Sequence, residues 1–508
     1  TKALHDASTD DRIKGLLIKT GGSSAGWATL QAVRNAVVDF KTSRKLVYAY
    51  GEDMTQRDYY VASAADSVFL NPVGDFELKG MAAQLQFFKG TLDKLGVQPE
   101  IFYAGKFKSA TEPFRETKMT EANRTQLTAL LNDLWGQYLT AASQHAHTDT
   151  ATVGQWARSG AVLFPEDAQR LKLVDRLTYW DEVERLIKKK TDRKEDEKLE
   201  MTALNDYAPK ADAKAGTGGR IAVLFAEGDI TDGPKGDDYQ IASETFVKNL
   251  RKVRDNEDIK AVVLRINSPG GSARASEIIL REIQLLKQKK HVVVSMGDVA
   301  ASGGYYIAAA ADSIFAQPTT LTGSIGVFTM MFNAQSLLTN KLGVTFDAVR
   351  NTPYADFPTA TRPLNDDERL RVQRGVDTIY ALFKRRVAQG RRMQEAMVDS
   401  IAQGRVWTGR AAMGIGLVDG LGGLDRAVQS AAKLAGLTDY RLSTYPEPVD
   451  KFQSMLRKIR STPGTSKMQQ AAQEVLGVEA GQAMETLRRM QRMNGKAQMA
   501  MPFRFTAG

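Results

Sequence analysis

The chain has 508 residues and no cysteine, which excludes disulfides, thiol catalysis and cysteine-based metal sites. Its net charge of +10 is modest for this length, and no basic stripe is interleaved with aromatics, so nucleic-acid binding is not indicated. The apolar fraction (43%) and the charged fraction (25%) are those of a globular protein with room for about three or four domains, no apolar run is long enough to span a membrane, and no signal peptide opens the chain.

In chain order, Gly15–Lys19 and Leu46–Tyr50 read as short buried strands. Glu100–Tyr103 is strand-like and runs into Gly105-Lys-Phe-Lys-Ser-Ala-Thr-Glu-Pro-Phe114. Thr120–His145 is helical, with Glu121 near its positive end. Lys188–Lys198 alternates charges and Ala208–Gly219 is rich in Ala, Lys and Gly, which together read as a solvated connector. Arg220–Ala226 and Ala261–Ile266 are strands, and Asn267-Ser-Pro-Gly-Gly271 follows as a turn whose N–H groups can point into a site. His291–Ser295 is another buried strand. It leads through Gly297-Asp-Val-Ala-Ala-Ser-Gly-Gly304 into the Ala-rich helical segment Tyr305–Ala311. Asn365–Gly390 is a long helix, and beyond Pro448 apolar residues such as Phe452, Met455, Leu456 and Ile459, then Ala480, Met484 and Leu487, recur at helical spacing. Strands of about five residues alternating with helices predict an α/β fold with mainly parallel sheets and crossover helices.

The chain also repeats itself. Tyr59-Tyr-Val-Ala-Ser-Ala-Ala-Asp-Ser-Val-Phe69 mirrors Tyr305-Tyr-Ile-Ala-Ala-Ala-Ala-Asp-Ser-Ile-Phe315 at a shift of 246, and Lys94-Leu-Gly-Val97 matches Lys341-Leu-Gly-Val344 at 247. The expected organisation is a first repeat over 1–187, a charged linker over 188–218, a second repeat over 219–447 and a helical extension over 448–508. Thr1 aligns with Val247, inside the helix after the second copy's opening strand. The first copy is therefore expected to lack that strand, with the sequence a piece of a longer chain.

Ser302 falls where a strand hands over to a helix, the position of an exposed nucleophile beside small residues. Asn267–Gly271 supplies backbone donors suited to an oxyanion hole. At the repeat shift, Ser302-Gly303-Gly304 falls on Gln56-Arg57-Asp58, and Pro269-Gly270-Gly271 on Ser23-Ser24-Ala25, so the first copy lacks both features. Of the four histidines, His145 and His147 lie near a helix end, His291 opens a strand and His5 lies in the opening segment, so a histidine base is not suggested. Lys108 falls on Ala355 of the second copy, so each copy holds one member of a serine–lysine pair. Lys108, flanked by Phe107 and small residues, is the candidate base, with Lys106 its competitor.

Asn267-Ser-Pro-Gly-Gly271, Ala300-Ala-Ser-Gly-Gly304, Leu321-Thr-Gly-Ser-Ile-Gly326 and Phe107-Lys-Ser-Ala110 with Glu112-Pro-Phe114 resemble the signal peptide peptidase A family in its long, tandem-repeat bacterial form. The resemblance implies duplicated ClpP/crotonase-like domains and a serine–lysine dyad protease without cofactor or metal. It also implies a homotetramer anchored on the periplasmic side of the bacterial inner membrane, through a segment missing before Thr1, that degrades cleaved signal peptides and similar apolar peptides. Residue by residue, Ser302 matches the nucleophile, Lys108 the general base, Ser324 the serine that bonds the lysine, and Gly303 and Gly271 the oxyanion donors. Apolar peptides are expected to bind extended, by strand addition. A crotonase-type acyl-CoA enzyme and a non-catalytic membrane-associated scaffold are the alternatives.

Overall fold

A computed structural model describes residues 2–207, 218–234, 239–446 and 495–501. The first half is built on a four-stranded parallel sheet ordered Gly15–Lys19, Leu46–Gly51, Ser67–Leu70, Arg176–Leu177. Successive side chains alternate faces along a strand. Val47, Ala49, Val68 and Leu70 therefore pack with Val37, Phe40, Tyr59 and Tyr138, while Tyr48, Tyr50 and Phe69 meet Val183 and Ile187 of the helix Trp180–Lys190 on the other face. Both faces are covered, which is why these strands read as continuous apolar runs.

The second half repeats this plan on a larger scale. Its main sheet runs Val406–Thr408, Leu321–Gly323, His291–Ala301, Ile259–Ser268, Gly219–Glu227, Tyr440–Tyr445, parallel except at its Val406–Thr408 edge. Val262, Leu264, Val292 and Val294 face Ile279 and Ile283 of the helix Ala273–Lys287; Val263, Ile221 and Val293 face Ala427, Val428 and Ala431 of the helix Leu424–Leu434. The helices expected over 120–145 and 365–390 are present as Glu121–His145 and Asp366–Arg391.

A third sheet draws on both halves, which the repeat pattern did not foresee. Its order is Gln98–Ala104, Val327–Asn333, Gln498–Ala500, Gly270–Ser272, Asp229–Thr231, Gln240–Ala242. Gln98–Ala104 pairs antiparallel with Val327–Asn333 along its whole length, from Val327↔Ala104 to Asn333↔Gln98. Its partner is thus the segment that follows the Leu321–Gly326 motif. Glu100, buried on this strand, is held by the guanidinium of Arg369 at 2.6 Å. Further ties join the halves: the Asp298 carboxylate accepts from the Thr29 N–H (2.8 Å) and hydroxyl (2.5 Å), serving the N-terminus of the helix Trp27–Lys41, which has no side-chain cap of its own. The tail residues with helical spacing, Phe452 to Leu487, lie outside the described residues, and the described part of the tail holds the strand Gln498–Ala500.

Candidate active site

Ser302 stands between the strand His291–Ala301 and the helix Gly303–Ala308, at φ 55° and ψ −114°. A non-glycine residue at positive φ is strained, by about 1–3 kcal/mol for such conformations, and persists only where its surroundings fix it. Here the Ser302 N–H donates to the Gly323 carbonyl at 2.8 Å and the Ser302 carbonyl accepts from the Tyr306 N–H at 2.8 Å. The short helix is anchored by its tyrosines: Tyr305 donates its hydroxyl to the Leu417 carbonyl (2.9 Å), Tyr306 donates to Glu277 (2.5 Å) and packs edge-on against Phe383. Burial pushes both phenols far above their usual range, so they act as neutral donors.

Strand Leu321–Gly323 runs parallel to the end of His291–Ala301, pairing Ala301 with Gly323, and so delivers Ser324 beside Ser302. Ser324 is also at positive φ, and its N–H donates to the Arg405 carbonyl at 2.7 Å. The Arg405 guanidinium lies over the rings of Trp407 (4.1 Å) and Phe107 (5.2 Å), and its partial burial lowers its pKa.

Lys108 arrives from the first half. After the strand Gln98–Ala104 the chain turns, with the Phe107 N–H donating to the Gln403 carbonyl at 2.7 Å and the Lys108 N–H to the Gly105 carbonyl at 3.0 Å. The Lys108 side chain is 1% exposed, and its Nζ lies 3.0 Å from Ser302 Oγ, 3.1 Å from Ser324 Oγ and 3.2 Å from the Ser324 carbonyl oxygen. Three residues distant in sequence, from two repeats, thus converge on one buried point. Lys106 is exposed instead, its amine near the Phe107 ring. His145 pairs with Asp175 and His291 with Asp312.

The third component is the glycine turn. Gly303 opens the helix after Ser302, and Gly271 sits in the strand Gly270–Ser272, between Ile230 and Met499. Gly270, the other glycine of the turn, has φ +97°, and a Cβ there would lie 2.6 Å from the Gly303 nitrogen and overlap the Met499 carbonyl oxygen. Any side chain at 270 would crowd the Gly303 nitrogen. In the first half the equivalent space is taken. Asp58, which aligns with Gly304, accepts from the N–H groups of Gly22 (3.2 Å) and Ser23 (3.1 Å), which align with the turn residues Ser268 and Pro269. The first repeat has satisfied its own turn with a carboxylate.

Behind Lys108 lies a buried polar cluster whose role was not legible beforehand. The Glu112 carboxylate, 1% exposed, accepts from the Thr120 hydroxyl (2.5 Å) and Asn123 Nδ2 (2.7 Å). Asn123 Oδ1 accepts from Ser109 (3.0 Å) and from Gln126 Nε2 (3.1 Å). Gln126 donates to the Phe107 carbonyl (3.2 Å) and accepts from the Val406 N–H (3.2 Å). The two residues flanking Lys108 are therefore tied to the strand that pairs with Leu321–Gly323. Gly404 (φ +75°) completes the support, because a Cβ there would lie 2.7 Å from the Lys108 nitrogen. The available signal was Thr120 as N-cap with Asn123 and Gln126 on one helix face. Replacing Glu112 with alanine leaves the donors of Thr120 and Asn123 facing a cavity, so a loss of about 2–3 kcal/mol is expected in urea denaturation, with Glu112→Gln milder because it keeps an acceptor.

A sequence profile described as Peptidase family S49 matches residues 25–194 and 284–438, and one described as Clp protease matches residues 221–321. The chain is 36% identical over 455 residues to "Protease 4" of Salmonella typhi, covering 88% of this chain and 73% of that one. It is 34% identical over 438 residues to "Serine protease SPPA, chloroplastic" of Arabidopsis thaliana, covering 85% of this chain and 64% of the plant protein. "Putative signal peptide peptidase SppA" of Enterococcus faecium is 35% identical over 216 residues, covering 42% of this chain and 62% of that one.

Proposed function

The chain belongs to peptidase family S49 and is a serine protease, and from that premise we propose that Ser302 is its nucleophile, Lys108 its general base and Ser324 the hydroxyl that orients the lysine. The observation that carries the assignment is the 3.0 Å separation of Lys108 Nζ and Ser302 Oγ at a buried point. Neutral Lys108 takes the Ser302 proton as Oγ adds to a peptide carbonyl carbon; the N–H groups of Gly303 and Gly271 receive the developing oxyanion. The protonated lysine then gives its proton to the leaving amine, and water activated by the same lysine hydrolyses the ester. Burial helps twice: it disfavours an ammonium, and it strengthens each dipole aimed at the oxyanion.

The substrates in this reading are extended apolar peptides, cleaved signal peptides among them, the class named for the Enterococcus relative. The strands Gly270–Ser272 and Val327–Asn333 both pair with an extended segment, Gln498–Ala500, laid between them, which supports binding by strand addition. Attachment to the bacterial inner membrane on its periplasmic side and assembly as a homotetramer belong to the proposal through the family resemblance. Among the described residues no helix is long and apolar enough to cross a membrane.

The test is covalent labelling. A fluorophosphonate probe is expected to leave one adduct, on Ser302 in the peptide map, and Lys108→Ala should slow its formation at least a hundredfold. Inactivation with the adduct on a different serine would overturn the assignment.

A further inference from the structure

One charged side chain beside the serine–lysine pair has no counter-charge. Among the described residues the Arg405 guanidinium makes no ion pair, and its Nε is buried without a hydrogen-bond partner. A partly buried charge without a carboxylate is costly to keep. Arginine does not shed that cost by losing its proton at working pH, so the charge stays.

Its place ties it to the lysine twice. The Arg405 carbonyl accepts from the Ser324 N–H at 2.7 Å, and Ser324 in turn meets the Lys108 amine through its hydroxyl and its carbonyl oxygen. The Arg405 side chain reaches the other way, with its guanidinium carbon 5.2 Å from the ring centre of Phe107, the residue before Lys108, and 4.1 Å from that of Trp407. Comparison of the two repeats singles out the same residue. The shift of 244 that carries Leu417-Val-Asp419 onto Leu173-Val-Asp175 carries Gly404 onto Gly160, Val406 onto Val162 and Arg405 onto Ala161. Both glycines keep a positive φ, +75° and +62°. The backbone frame is thus present in both copies, and the guanidinium only in the copy that receives the lysine.

We infer that Arg405 is a positioning residue for the general base: its uncompensated charge, stacked on Phe107, disfavours the ammonium form of Lys108 and so keeps the amine ready to take the Ser302 proton. This rests on the Ser302–Lys108 reading. Like charges repel more strongly in a water-poor site than in solvent, so a fixed cation makes a neighbouring lysine harder to protonate. The other charged groups around Lys108 do not supply this effect. Lys106 is exposed, where solvent screens it. Glu112, buried four residues on and held by Thr120 and Asn123, favours an ammonium, and Arg405 offsets it. Glu121 and Arg124 of the helix Glu121–His145 are exposed, and Asp399 is paired with Lys384 at 2.6 Å. The strand Leu321–Gly323, the helix Gly303–Ala308 and residues 402–404 carry no charged side chain.

The pH dependence of fluorophosphonate labelling at Ser302 tests this on the full chain, because it reads the protonation of the base without a substrate. Removing the cation makes the ammonium easier to form, so the acidic limb should move up by at least about half a pH unit in Arg405→Gln and Arg405→Ala, a loss of about threefold in rate at any pH below the limb. Alanine is the residue with which the first repeat builds the same frame. Arg405→Lys keeps a charge and should return the limb toward its wild-type position. A limb that stays in place in both neutral variants, even with a lower plateau rate or melting temperature, would overturn the inference and leave the dyad standing. A limb displaced as far in Arg405→Lys would overturn it too, because the stack and not the charge would then matter. A wild-type rate that is flat with pH overturns the lysine base and this inference together.

Discussion

Replacing Lys108 with methionine is expected to lower peptide hydrolysis by at least about a thousandfold while the protein melts no lower than the wild type. The two halves of that result come from the same burial. General-base transfer contributes roughly 10²–10⁴ in rate, and a serine that also loses the lysine's later proton donation loses a second step. Methionine keeps most of the side-chain volume of Lys108 in a site that is 1% exposed, and an apolar residue there removes the desolvation cost of an amine. The pH profile carries the same assignment. In the proposed mechanism the working form is the neutral amine, so kcat/KM should fall tenfold for each pH unit on the acidic side of the apparent pKa of the acidic limb. A rate flat from mildly acidic to basic pH, or more than about a tenth of wild-type activity in Lys108→Met measured by peptide hydrolysis, would remove the lysine from the base's role. Arginine in its place would bring a permanent charge and provide no base at working pH.

Much of this site could be read before any coordinates. The apolar run His291–Met296 followed by small residues and an Ala-rich segment fixes a strand-to-helix junction, and Ser302 falls on it because the two periodicities meet there. The pairing with Lys108 came from comparing the copies: a framework kept twice, with a hydroxyl in one and an amine in the other. Asp58 explains the asymmetry physically, since a carboxylate seated on the turn's own N–H groups leaves no room there for a substrate oxyanion. What stayed hidden was contact between distant segments. Gln98–Ala104 shows a strand pattern, but nothing in its seven residues names Val327–Asn333 as its partner. Gln126 and Gly404 look like an ordinary helix residue and an ordinary loop glycine until the fold sets them against the Lys108 loop. Gln498–Ala500 lies in an Ala- and Met-rich tail of helical composition and becomes a strand because two edges await pairing, a case of tertiary context overriding local preference.

Ser302→Ala and Ser302→Gly are both expected to lose at least about 10⁴-fold in kcat, because each removes the oxygen that forms the acyl-enzyme in the proposed mechanism. Their stabilities should differ. Both variants lose the same hydroxyl and the same 3.0 Å contact with Lys108, so subtracting one from the other cancels that contribution. What remains is the backbone. At φ 55° and ψ −114°, alanine carries a Cβ into a region that glycine enters freely. Against this, glycine gives the unfolded chain more freedom, by about 0.4–1 kcal/mol. With strain of about 1–3 kcal/mol at such a position, Ser302→Gly should be the more stable of the two by roughly 1 kcal/mol in paired denaturant titrations. Equal stabilities, or alanine ahead, would mean that the junction relaxes once the hydroxyl is gone, and that the hydroxyl's contact with the lysine holds the bend. Glycine ahead would mean that the fold imposes the bend on whatever residue stands at 302, through the Gly323 carbonyl on one side and the Tyr306 N–H on the other. The placement of the proposed nucleophile would then be a property of the scaffold and not of its contact with the lysine.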